Sequence, residues 1–312
     1  MELNKYTIFL EVARQQSLSK AAEALGYTQS GISHTLKRLE KEMNLTLFYR
    51  NRNGAFLTNA GKEVFPYISQ MVQCQENLNQ AILSLHNLHQ GTLRIGTYSS
   101  ISRQWLPHII REFKNDYPSI RIHFKEGGNE DIMHWIRHHE VDLGFLSSCF
   151  DESCDWIPLK DDPLLAVLPG DYPRPASGSF PLADFNDKTF IISARGIDVD
   201  IHQTLAHYGI HPDIQYSAKD DYTIISMVAC GLGVSILPRL VLPHYDSAVL
   251  TLPLKPFAKR QLGIAVPSKK MASPATLKFI DYTKKFVRKH LPDDIMVSPD
   301  TREIHIPPMY SE

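Results

Sequence analysis

The amino-acid sequence predicts a multi-domain protein of mixed class (α+β/α): a small unit of helices and a hairpin, a long linker helix, and a two-lobed α/β region. Three observations support this prediction. The chain has 312 residues, which is more than one compact core usually holds. Residues 62–90 contain no Gly and only one early proline, Pro66, as a long helix requires. From Gly91 onward, short β-branched runs alternate with helical segments.

The composition is that of an ordinary folded chain. Hydrophobic residues make up 43% of it and charged residues 21%, which argues against intrinsic disorder. Glu2 and Glu11 interrupt the first apolar run, and no uninterrupted apolar run of about 18 residues occurs. We therefore expect neither a signal peptide nor a membrane-spanning segment, no membrane partner, and a cytoplasmic location.

Four cysteines are too few and too scattered for a disulfide scaffold, and free thiols are expected in a reducing compartment. Cys149 and Cys154 lie close enough in sequence to leave a redox-sensing pair open as an alternative, although they do not form a C-x-x-C motif. The 14 histidines lack Cys or carboxylate partners at zinc-site spacing. We expect no metal site and no cofactor.

Basic charge is concentrated near the N-terminus. Residues 1–65 hold nine Lys and Arg against six Asp and Glu, a balance of +3, whereas the remaining chain has 24 against 28, a balance of −4. This asymmetry favours an N-terminal module that binds a polyanion.

Residues 17–44 predict a helix-turn-helix. Ser19 can cap a first helix over residues 20–25, whose small Ala side chains permit close crossing, and Gly26 suits the turn that follows. Thr28 can cap a second helix running from 29 to about 43. The apolar face of this second helix comprises Ile32, Leu36, Leu39 and Met43.

The opposite face of the second helix is polar and basic. At its N-terminus, Gln29, Ser30 and Ser33 can reach base edges, and free backbone N–H groups can hold a phosphate. His34 and Lys37 continue this face, followed by Lys41. A solvated polar face is the alternative for any amphipathic helix, but the preceding tight corner favours a DNA-recognition helix.

The stretch LTLFYRNRNGAFLTNAG predicts a β-hairpin wing that turns at Asn53-Gly54. Arg50 and Arg52 flank the turn, where they can meet phosphates or enter the minor groove. We therefore predict a winged helix-turn-helix over residues 1–61 that binds double-stranded DNA. Its predicted contacts are Thr28, Gln29, Ser30, Ser33, His34, Lys37, Arg50 and Arg52.

Residues 62–90 predict a linker helix with an a/d heptad seam that would join two chains. Packing inside one subunit is the alternative for so short a seam. A two-fold dimer would place two recognition helices on a pseudo-palindromic DNA site. The predicted dimerisation residues are Ile68, Met71, Leu78, Ile82 and Leu85, aligned with Val64 and the polar Gln75, while Asn77, Asn79 and Gln80 are expected on the outside.

The N-terminal residues resemble the signature of LysR-type transcriptional regulators. The resemblance rests on Phe9-x2-Val12-Ala13-x3-Ser17-x-Ser19-x-Ala21-Ala22-x2-Leu25-x2-Thr28-Gln29-Ser30-x-Ile32-Ser33. Leu47-Phe48-x-Arg50 and Leu57-Thr58-x-Ala60-Gly61 are similar to that family's wing and linker start. His34 stands where the family often has Arg, and Arg52 comes about one residue early. The resemblance extends to about residue 291 and implies a periplasmic-binding-protein-like effector domain, a small-molecule effector, and homodimers or homotetramers.

The region after Gly91 predicts a parallel sheet with helices on its faces, divided into two lobes with a cleft between them. The strand segments are TLRIGTY, IRIHFKEG, VDLGFLS, LLAVLPG, TFIISA, DIQYSA, GVSILP and QLGIAVP, and WIPLKDD is interpreted as a connector. We assign residues 91–161 with 267–291 to the first lobe and 162–266 to the second. The final helix is expected to pack on the first lobe, and residues 292–312 form a C-terminal tail.

Polar residues at the carboxyl ends of the predicted strands are candidates for the effector site. Hydroxyl and backbone N–H groups there can cradle an anion, so the ligand is expected to be small, with an anionic group favoured. Ordinary helix capping is the alternative for each residue alone. The candidates are Thr97, Ser99, Ser100, Ser147, Ser193, Arg195, Tyr222 and Thr223.

No catalytic residues are predicted. The sequence contains no G-x-S-x-G, no Walker loop, no G-x-G-x-x-G and no H-E-x-x-H. An enzymatic or solute-binding two-lobed protein remains the alternative class, but neither explains the basic helix-turn-helix and the heptad seam. The favoured interpretation is a ligand-responsive, DNA-binding transcriptional regulator that is not an enzyme.

Overall fold

The computed structural model describes residues 4–85, 90–147, 154–194, 196–243 and 248–291. Its helices are α1 (Asn4–Gln15), α2 (Leu18–Leu25), α3 (Gln29–Met43), α4 (Asn59–Leu85), α5 (Ser99–Gln104), α6 (Leu106–Asp116), α7 (Asn129–Arg137), α8 (Val199–His207), α9 (Asp221–Ala229) and α10 (Pro274–His290). Its strands are β1 (Phe48–Asn51), β2 (Gly54–Leu57), β3 (Gly91–Thr97), β4 (Ile120–Glu126), β5 (Leu143–Ser147), β6 (Asp155–Pro169), β7 (Phe180–Pro181), β8 (Thr189–Ser193), β9 (Asp213–Ala218), β10 (Ser235–Pro238), β11 (Val249–Lys255) and β12 (Lys259–Val266). The tail 292–312 lies outside the described residues.

Helices α2 and α3 form the predicted helix-turn-helix corner. Ser17, not Ser19, caps α2: its side chain accepts from the backbone N–H of Lys20, and the helix begins at Leu18, so Ser19 lies within the first turn. Gly26 ends α2 in the left-handed conformation at φ 70°. Gly adopts this conformation without a steric clash because it has no Cβ. Thr28 caps α3 as predicted, with its Oγ1 accepting from the backbone N–H of Gly31 at 3.1 Å.

The N-terminal unit closes around an aromatic centre. The ring of Phe9 lies 5.3 Å from that of Phe48 on the wing and 6.2 Å from that of Phe65 on α4. Strands β1 and β2 pair antiparallel, as the hairpin prediction required. Glu40 of α3 fixes the wing because its Oε1 accepts from two backbone N–H groups, those of Leu47 and Phe48. The sequence did not predict these two hydrogen bonds.

The linker helix α4 begins at Asn59, three residues before the predicted start. One predicted dimerisation residue is wrong: Ile68 is buried in the N-terminal core of its own subunit and is not available to a partner. The other four are exposed. Their exposed fractions are 37% for Met71, 47% for Leu78, 45% for Ile82 and 85% for Leu85.

A different, polar face of α4 docks on the first lobe. Gln73 Nε2 donates to Asp142 Oδ1 at 2.7 Å, and Arg94 donates to Glu76 with a closest distance of 2.8 Å. Burial of Asp142, opposed by a hydrogen bond from the backbone N–H of Arg94, raises its pKa to about 6. Polar side chains therefore hold the linker helix against the lobe.

Gln80 also belongs to this docking face, contrary to the prediction that it lies on the outside. It is buried, and its Nε2 donates to the backbone carbonyl of Thr92 at 3.1 Å. Gly91 makes the approach possible, because a Cβ at that position, where φ is 148°, would lie 2.7 Å from Gln80. Farther along, Asn77 Nδ2 donates to the carbonyl of Met271 at 2.9 Å.

The two-lobed region is built on a mixed sheet instead of the predicted parallel one. The strand order is β4-β3-β5-β12-β6-β11-β7, with β10 also pairing with β6 and a separate β8-β9 pair. Parallel pairing is confirmed for β3 with β4 and β5, and for β8 with β9. Strands β12, β11 and β10 instead pair antiparallel with β6.

Strand β6 connects the lobes as one element of 15 residues. The segment WIPLKDD, interpreted as a connector, is the first half of this strand and pairs with β12. Strand β12 buries Leu262 and Ile264 in the core of the first lobe, so the chain returns to that lobe before the predicted boundary at residue 266. Helix α10 packs on the same core, as predicted, with Phe279 5.3 Å from Phe113. The second lobe has its own core around Phe185 and Phe190.

Candidate functional site

The N-terminal turn of α3 presents its polar residues to solvent. Thr28, Gln29, Ser30, His34 and Lys37 are all exposed, while the apolar face of the same helix is buried. The hydroxyl oxygen of Thr28 also lies 3.2 Å from that of Ser30. The exposed surface therefore combines hydrogen-bonding groups at a helix N-terminus with an imidazole, that of His34, and a cation, that of Lys37, further along.

The wing adds guanidinium groups beside this helix. Arg50 Nη1 donates to Ser33 Oγ at 3.1 Å, so the wing cation is held against α3. Arg52 is exposed near the turn, where the side chain of Asn51 accepts from the backbone N–H of Asn53 at 2.8 Å. Gly54 allows the wing to pack closely against the chain at the end of α1, because a Cβ at position 54 would lie 2.2 Å from the carbonyl oxygen of Gln16. The predicted DNA contacts of α3 and of the wing thus adjoin one another.

A chain of hydrogen bonds joins the two lobes across the cleft. Tyr98 follows β3 in the first lobe, and its hydroxyl donates to Asn129 Oδ1 at 2.6 Å and accepts from the backbone N–H of Ser147 at 3.0 Å. Ser147 ends β5, and its Oγ donates to Asp200 Oδ2 on α8 of the second lobe. Asp200, Ser147 and Tyr98 are all buried. The bridge holds the lobes together.

Beneath this bridge lies a buried guanidinium, that of Arg260, which is 4% exposed. It sits opposite Asp162 where β12 and β6 pair, and the two side chains approach to 2.9 Å. Arg260 Nη1 also lies 3.6 Å from Asp198 Oδ2 at the start of α8. Its Nη2 donates to Ser100 Oγ at 3.4 Å. Arg260 therefore contacts both lobes at their crossing.

The cleft holds more carboxylates than cations among its described residues. Burial and the neighbouring Asp198 raise the pKa of Asp200 above its usual range, against the hydrogen bond from Ser147. Burial likewise raises the pKa of Tyr98. Asp198 also caps α8, accepting from the backbone N–H groups of Asp200 and Ile201. The Asp200 carboxyl is thus protonated more readily than an exposed one.

Most predicted effector contacts are already engaged inside the protein. Thr97 is fully buried, and its hydroxyl donates to the carbonyl of Tyr98 at 3.2 Å, which removes it from the cleft surface. Ser100 and Ser147 are buried in the bonds described above, whereas Ser99 remains half-exposed at the start of α5. Ser193 is buried, and its Oγ has no hydrogen-bond partner among the described residues. Arg195 lies outside the described residues.

Tyr222 and Thr223 lie at a separate groove on α9. The Arg103 guanidinium stacks 3.8 Å from the centre of the Tyr222 ring and thereby joins α5 to α9. Thr223 is exposed, and its backbone N–H and hydroxyl both donate to the capping Asp220 at 3.0 Å. The groove, which both residues line, also includes Cys230. Neither residue contributes to the bridge between the lobes.

Sequence reasoning missed the charged centre of the cleft, formed by Tyr98, Asp162, Asp198, Asp200 and Arg260. One signal was available: Asp162 and Arg260 each stand beside an apolar run of the strand that contains them. Asp198 stands where a helix cap is expected, which explains its presence by a structural role alone.

The redox alternative rests on Cys149 and Cys154. Cys154 is half-buried, and Cys149 lies outside the described residues. Within the described part of the chain, no three His, Cys, Asp or Glu side chains are grouped as a metal site. Likewise, none of the helices there is both long and apolar enough to cross a bilayer.

Comparison with known proteins identifies both parts of the chain. Residues 3–62 match the family described as bacterial regulatory helix-turn-helix protein, lysR family, and residues 86–288 match the LysR substrate binding domain. The transcriptional regulator YvbU of Bacillus subtilis (strain 168) is 31% identical over 91% of this chain and 98% of its own length. The transcriptional dual regulator GltC of the same organism is 27% identical over 93% of this chain and 98% of its own.

Solved structures agree. A full-length OxyR variant from Pseudomonas aeruginosa superposes with a TM-score of 0.74 at 25% identity, covering 93% of this chain and 95% of that one. Full-length CbnR, solved in complex with its target DNA, shares the fold with a TM-score of 0.62 at 16% identity, covering 92% of this chain and all of that one. The chain is a DNA-binding transcriptional regulator with an effector-binding domain, and it belongs to the LysR family.

Proposed function

We propose that this regulator acts in the cytoplasm as a homodimer, or as a pair of such dimers, and reads a pseudo-palindromic DNA site with α3 and the β1–β2 wing. The observation that carries this proposal is the exposed, hydrogen-bonding N-terminus of α3 beside the Arg50 guanidinium. A helix N-terminus of this kind can read base edges in the major groove, while the wing cations hold phosphates. The exposed apolar seam on α4 supplies the surface that would pair two chains.

The DNA assignment predicts different effects for helix and wing substitutions. Gln29→Ala should cost about 1–3 kcal/mol of binding to specific DNA and little with non-specific DNA, because it removes a base contact. Arg50→Ala should weaken both and reduce the slope of log affinity against log salt by about 1, because it removes a phosphate contact. Fluorescence anisotropy with duplexes selected by the wild-type protein from a random pool measures both effects.

Ser33→Ala, at a residue that is itself a predicted DNA contact, provides a comparison for the wing. It removes the partner that holds Arg50 but leaves the guanidinium in place. We expect a smaller loss of affinity than Arg50→Ala gives, with the salt slope unchanged. Equal binding of Gln29→Ala, Arg50→Ala and wild type would refute the assignment of this surface, as would selected duplexes that lack two symmetry-related half-sites.

We further propose that a small molecule binds in the cleft and changes the relative position of the lobes. The support is that the lobes meet through polar contacts, Ser147 with Asp200 and Arg260 with Asp198, which can exchange partners with a ligand. A ligand regulates only if it prefers one lobe arrangement over the other. Movement of the first lobe would reach the DNA-binding unit through the docked linker helix α4.

A thermal-shift screen of the full-length protein tests the cleft. A ligand present at 100 times its Kd should stabilise the protein by about 2.7 kcal/mol, a rise of roughly 5–10 °C in Tm for a domain of this size. The screen should cover metabolite carboxylates, amino acids, aromatic acids and inorganic anions. Ser99→Ala should reduce the shift, because Ser99 is half-exposed and does not belong to the buried bridge.

Ser177→Ala, on an exposed loop of the second lobe, is the control and should leave the shift unchanged. A shift that Ser99→Ala and Ser177→Ala affect equally would place the ligand elsewhere. No shift with any compound would count against a small-molecule effector of these classes.

A further inference from the structure

The first residue of helix α9 carries a carboxyl group without a counter-charge of its own. Asp221 is half-buried, and its side chain forms no hydrogen bond or ion pair with another described residue. Burial raises the pKa of this carboxyl group most, the negative charge of Asp198 raises it further, and Arg260 opposes both. A second guanidinium, that of Arg103, stacks on the ring of Tyr222 instead. Asp221 therefore lies where negative charge exceeds positive charge.

The same imbalance extends to the charged centre of the cleft, where Arg260 provides the guanidinium. The charges of Asp162, Asp198 and Asp200 act on Arg260, and that of Asp221 interacts with it as well. The guanidinium approaches Asp162 to 2.9 Å, whereas Asp198 lies 3.6 Å away. Among the described residues of this centre, one guanidinium therefore faces four carboxyl groups.

A buried hydroxyl group without a partner lies on the same side of the second lobe. Ser193 ends β8, is 1% exposed, and its Oγ has no hydrogen-bond partner in the described part of the chain. Side chains alternate along a strand, so Ser193 shares the face of Ile191, which packs in the core that α9 covers. Strand β9 pairs with β8 up to Ala218 and leads directly into α9. The hydroxyl group is therefore aimed towards the start of α9, where Asp221 lies.

The backbone N–H groups that an anionic ligand would use are already engaged. Helix N-termini favour anions, but those of α8 and α9 hold carboxyl groups of the protein itself. Asp198 accepts from the backbone N–H groups of Asp200 and Ile201 at the start of α8. Asp220 accepts from the backbone N–H and the hydroxyl of Thr223 at the start of α9. An anion would have to displace these carboxylates and would add to the excess of negative charge.

An organic ammonium group suits this arrangement better than a metal ion. Over the ranges that the structure describes, no three His, Cys, Asp or Glu side chains are grouped as a metal site. An ammonium group is a compact charge with three N–H donors. It can therefore pair with the carboxylate of Asp221 and donate to the hydroxyl of Ser193 at the same time.

We propose that the cleft binds its effector through a protonated amine, which pairs with the Asp221 carboxylate and donates to Ser193 Oγ. This inference rests on the proposed effector role of the cleft and changes the expected charge of the ligand from anionic to cationic. A cation bound there offsets the excess of negative charge where the lobes meet. It thereby favours the arrangement in which these carboxyl groups lie close together.

Probes of equal chain length and different charge test the assignment on the full-length protein. Ethanolamine, ethylene glycol and glycolate form one set, and putrescine, butanediol and succinate form a longer one. Each probe is titrated to millimolar concentrations at neutral pH and constant ionic strength while Tm is measured. We expect a saturable rise in Tm with at least one of the two amines and none with the neutral or anionic members of its set.

Three variants locate the bound amine. Asp221→Asn should raise the apparent Kd for that amine at least about tenfold, because it removes the charged acceptor. Asp213→Asn is the matched control: it removes the same charge from an exposed position of β9 in the same lobe and should change the Kd by less than about twofold. Ser193→Ala should weaken binding without lowering the Tm of the free protein, because its Oγ has no partner to lose.

The outcomes separate this assignment from the effector role of the cleft. A shift that is produced by glycolate or succinate and reduced by Ser99→Ala would keep the effector cleft and overturn the ammonium site. An amine shift that is equal in wild type and Asp221→Asn would place the cation elsewhere and overturn the site as well. So would the absence of a saturable shift with either amine. No shift with any compound, the acids and anions of the first screen included, would count against both proposals.

Discussion

Replacing Arg260 by Ala is expected to destabilise the effector domain by about 3–5 kcal/mol, because it leaves buried carboxylates without a cation. Arg260 is 4% exposed and is paired with Asp162 and Asp198, which are 6% and 5% exposed. The substitution also opens a cavity at the crossing of β6 and β12. Urea unfolding followed by tryptophan fluorescence measures the loss, since the three Trp residues all lie in or against the core of the first lobe.

Two comparisons separate the charge effect from simple loss of packing. The neutral triple variant Arg260→Met, Asp162→Asn and Asp198→Asn should recover more than half of the loss, because the two carboxylates that pair with Arg260 are then uncharged as well. Asn at position 162 can still accept from the backbone N–H of Leu240, as Asp162 does at 3.0 Å. Asn at position 198 can still cap α8.

Lys259→Ala is the matched surface control. The side chain of Lys259 is 53% exposed and pairs with Asp161, which is 44% exposed. Such a pair contributes at most about 1 kcal/mol. A loss as small for Arg260→Ala as for Lys259→Ala would mean that the buried cluster does not support the crossing of the lobes.

The parts of the fold that the sequence predicted are those with local signals. Within the helix-turn-helix, each signal depends only on residues close together in sequence. These signals are the helix cap at Thr28, the turn at Gly26 and the spacing of Ile32, Leu36 and Leu39 on one helix face. The hairpin was equally recognisable from its Asn-Gly turn. The prediction that Ser19 caps α2 was wrong by about half a helical turn. Ser17 and Ser19 are two residues apart, and the sequence gives either hydroxyl as a possible cap.

The cleft could not be predicted in the same way, because its contacts join distant residues. Asp162 and Arg260 are 98 positions apart, and Ser147 and Asp200 are 53 apart. No periodicity reports that a carboxylate will be buried against a particular guanidinium. The predicted hydroxyl groups lie near the strand ends, as expected. Their hydrogen-bond partners inside the protein, such as Asp200 for Ser147, belong to other elements of the fold.

The seam of α4 illustrates a second limit. A heptad pattern shows which residues share a helix face, not which surface covers them. Ile68 lies on that pattern, yet the core around Phe9 covers it within the same subunit. Leu78 and Ile82 lie on the same pattern and remain exposed. Only the packing of the N-terminal unit distinguishes the two cases.

The exposed part of the seam leads to the second large effect. Leu78→Glu combined with Ile82→Glu is expected to convert a dimer to monomers, because each chain would bury two carboxylates in an apolar interface. Binding to a two-half-site duplex should fall by at least about 100-fold, since the second recognition helix is no longer held at high effective concentration. Multi-angle light scattering gives the mass, and anisotropy gives the affinity.

The monomer should keep its fold, and this separates a seam effect from unfolding. Leu78 and Ile82 are 47% and 45% exposed, so charging them should leave the Tm of the monomer close to that of the wild type at low concentration. Ile68→Ala should do the opposite: it removes a buried side chain and should cost about 2–5 kcal/mol. Its loss of DNA binding would follow from unfolding of the N-terminal unit.

Asn79→Glu adds one carboxylate to an exposed position of α4 outside the seam and should change neither mass nor affinity. If the double variant remained dimeric, another surface would have to join the subunits, and the linker helix would serve only to connect the two parts of one chain. If it became monomeric but bound the duplex unchanged, one α3 helix would suffice for recognition, and the two-fold symmetry expected of the DNA site would have no structural basis.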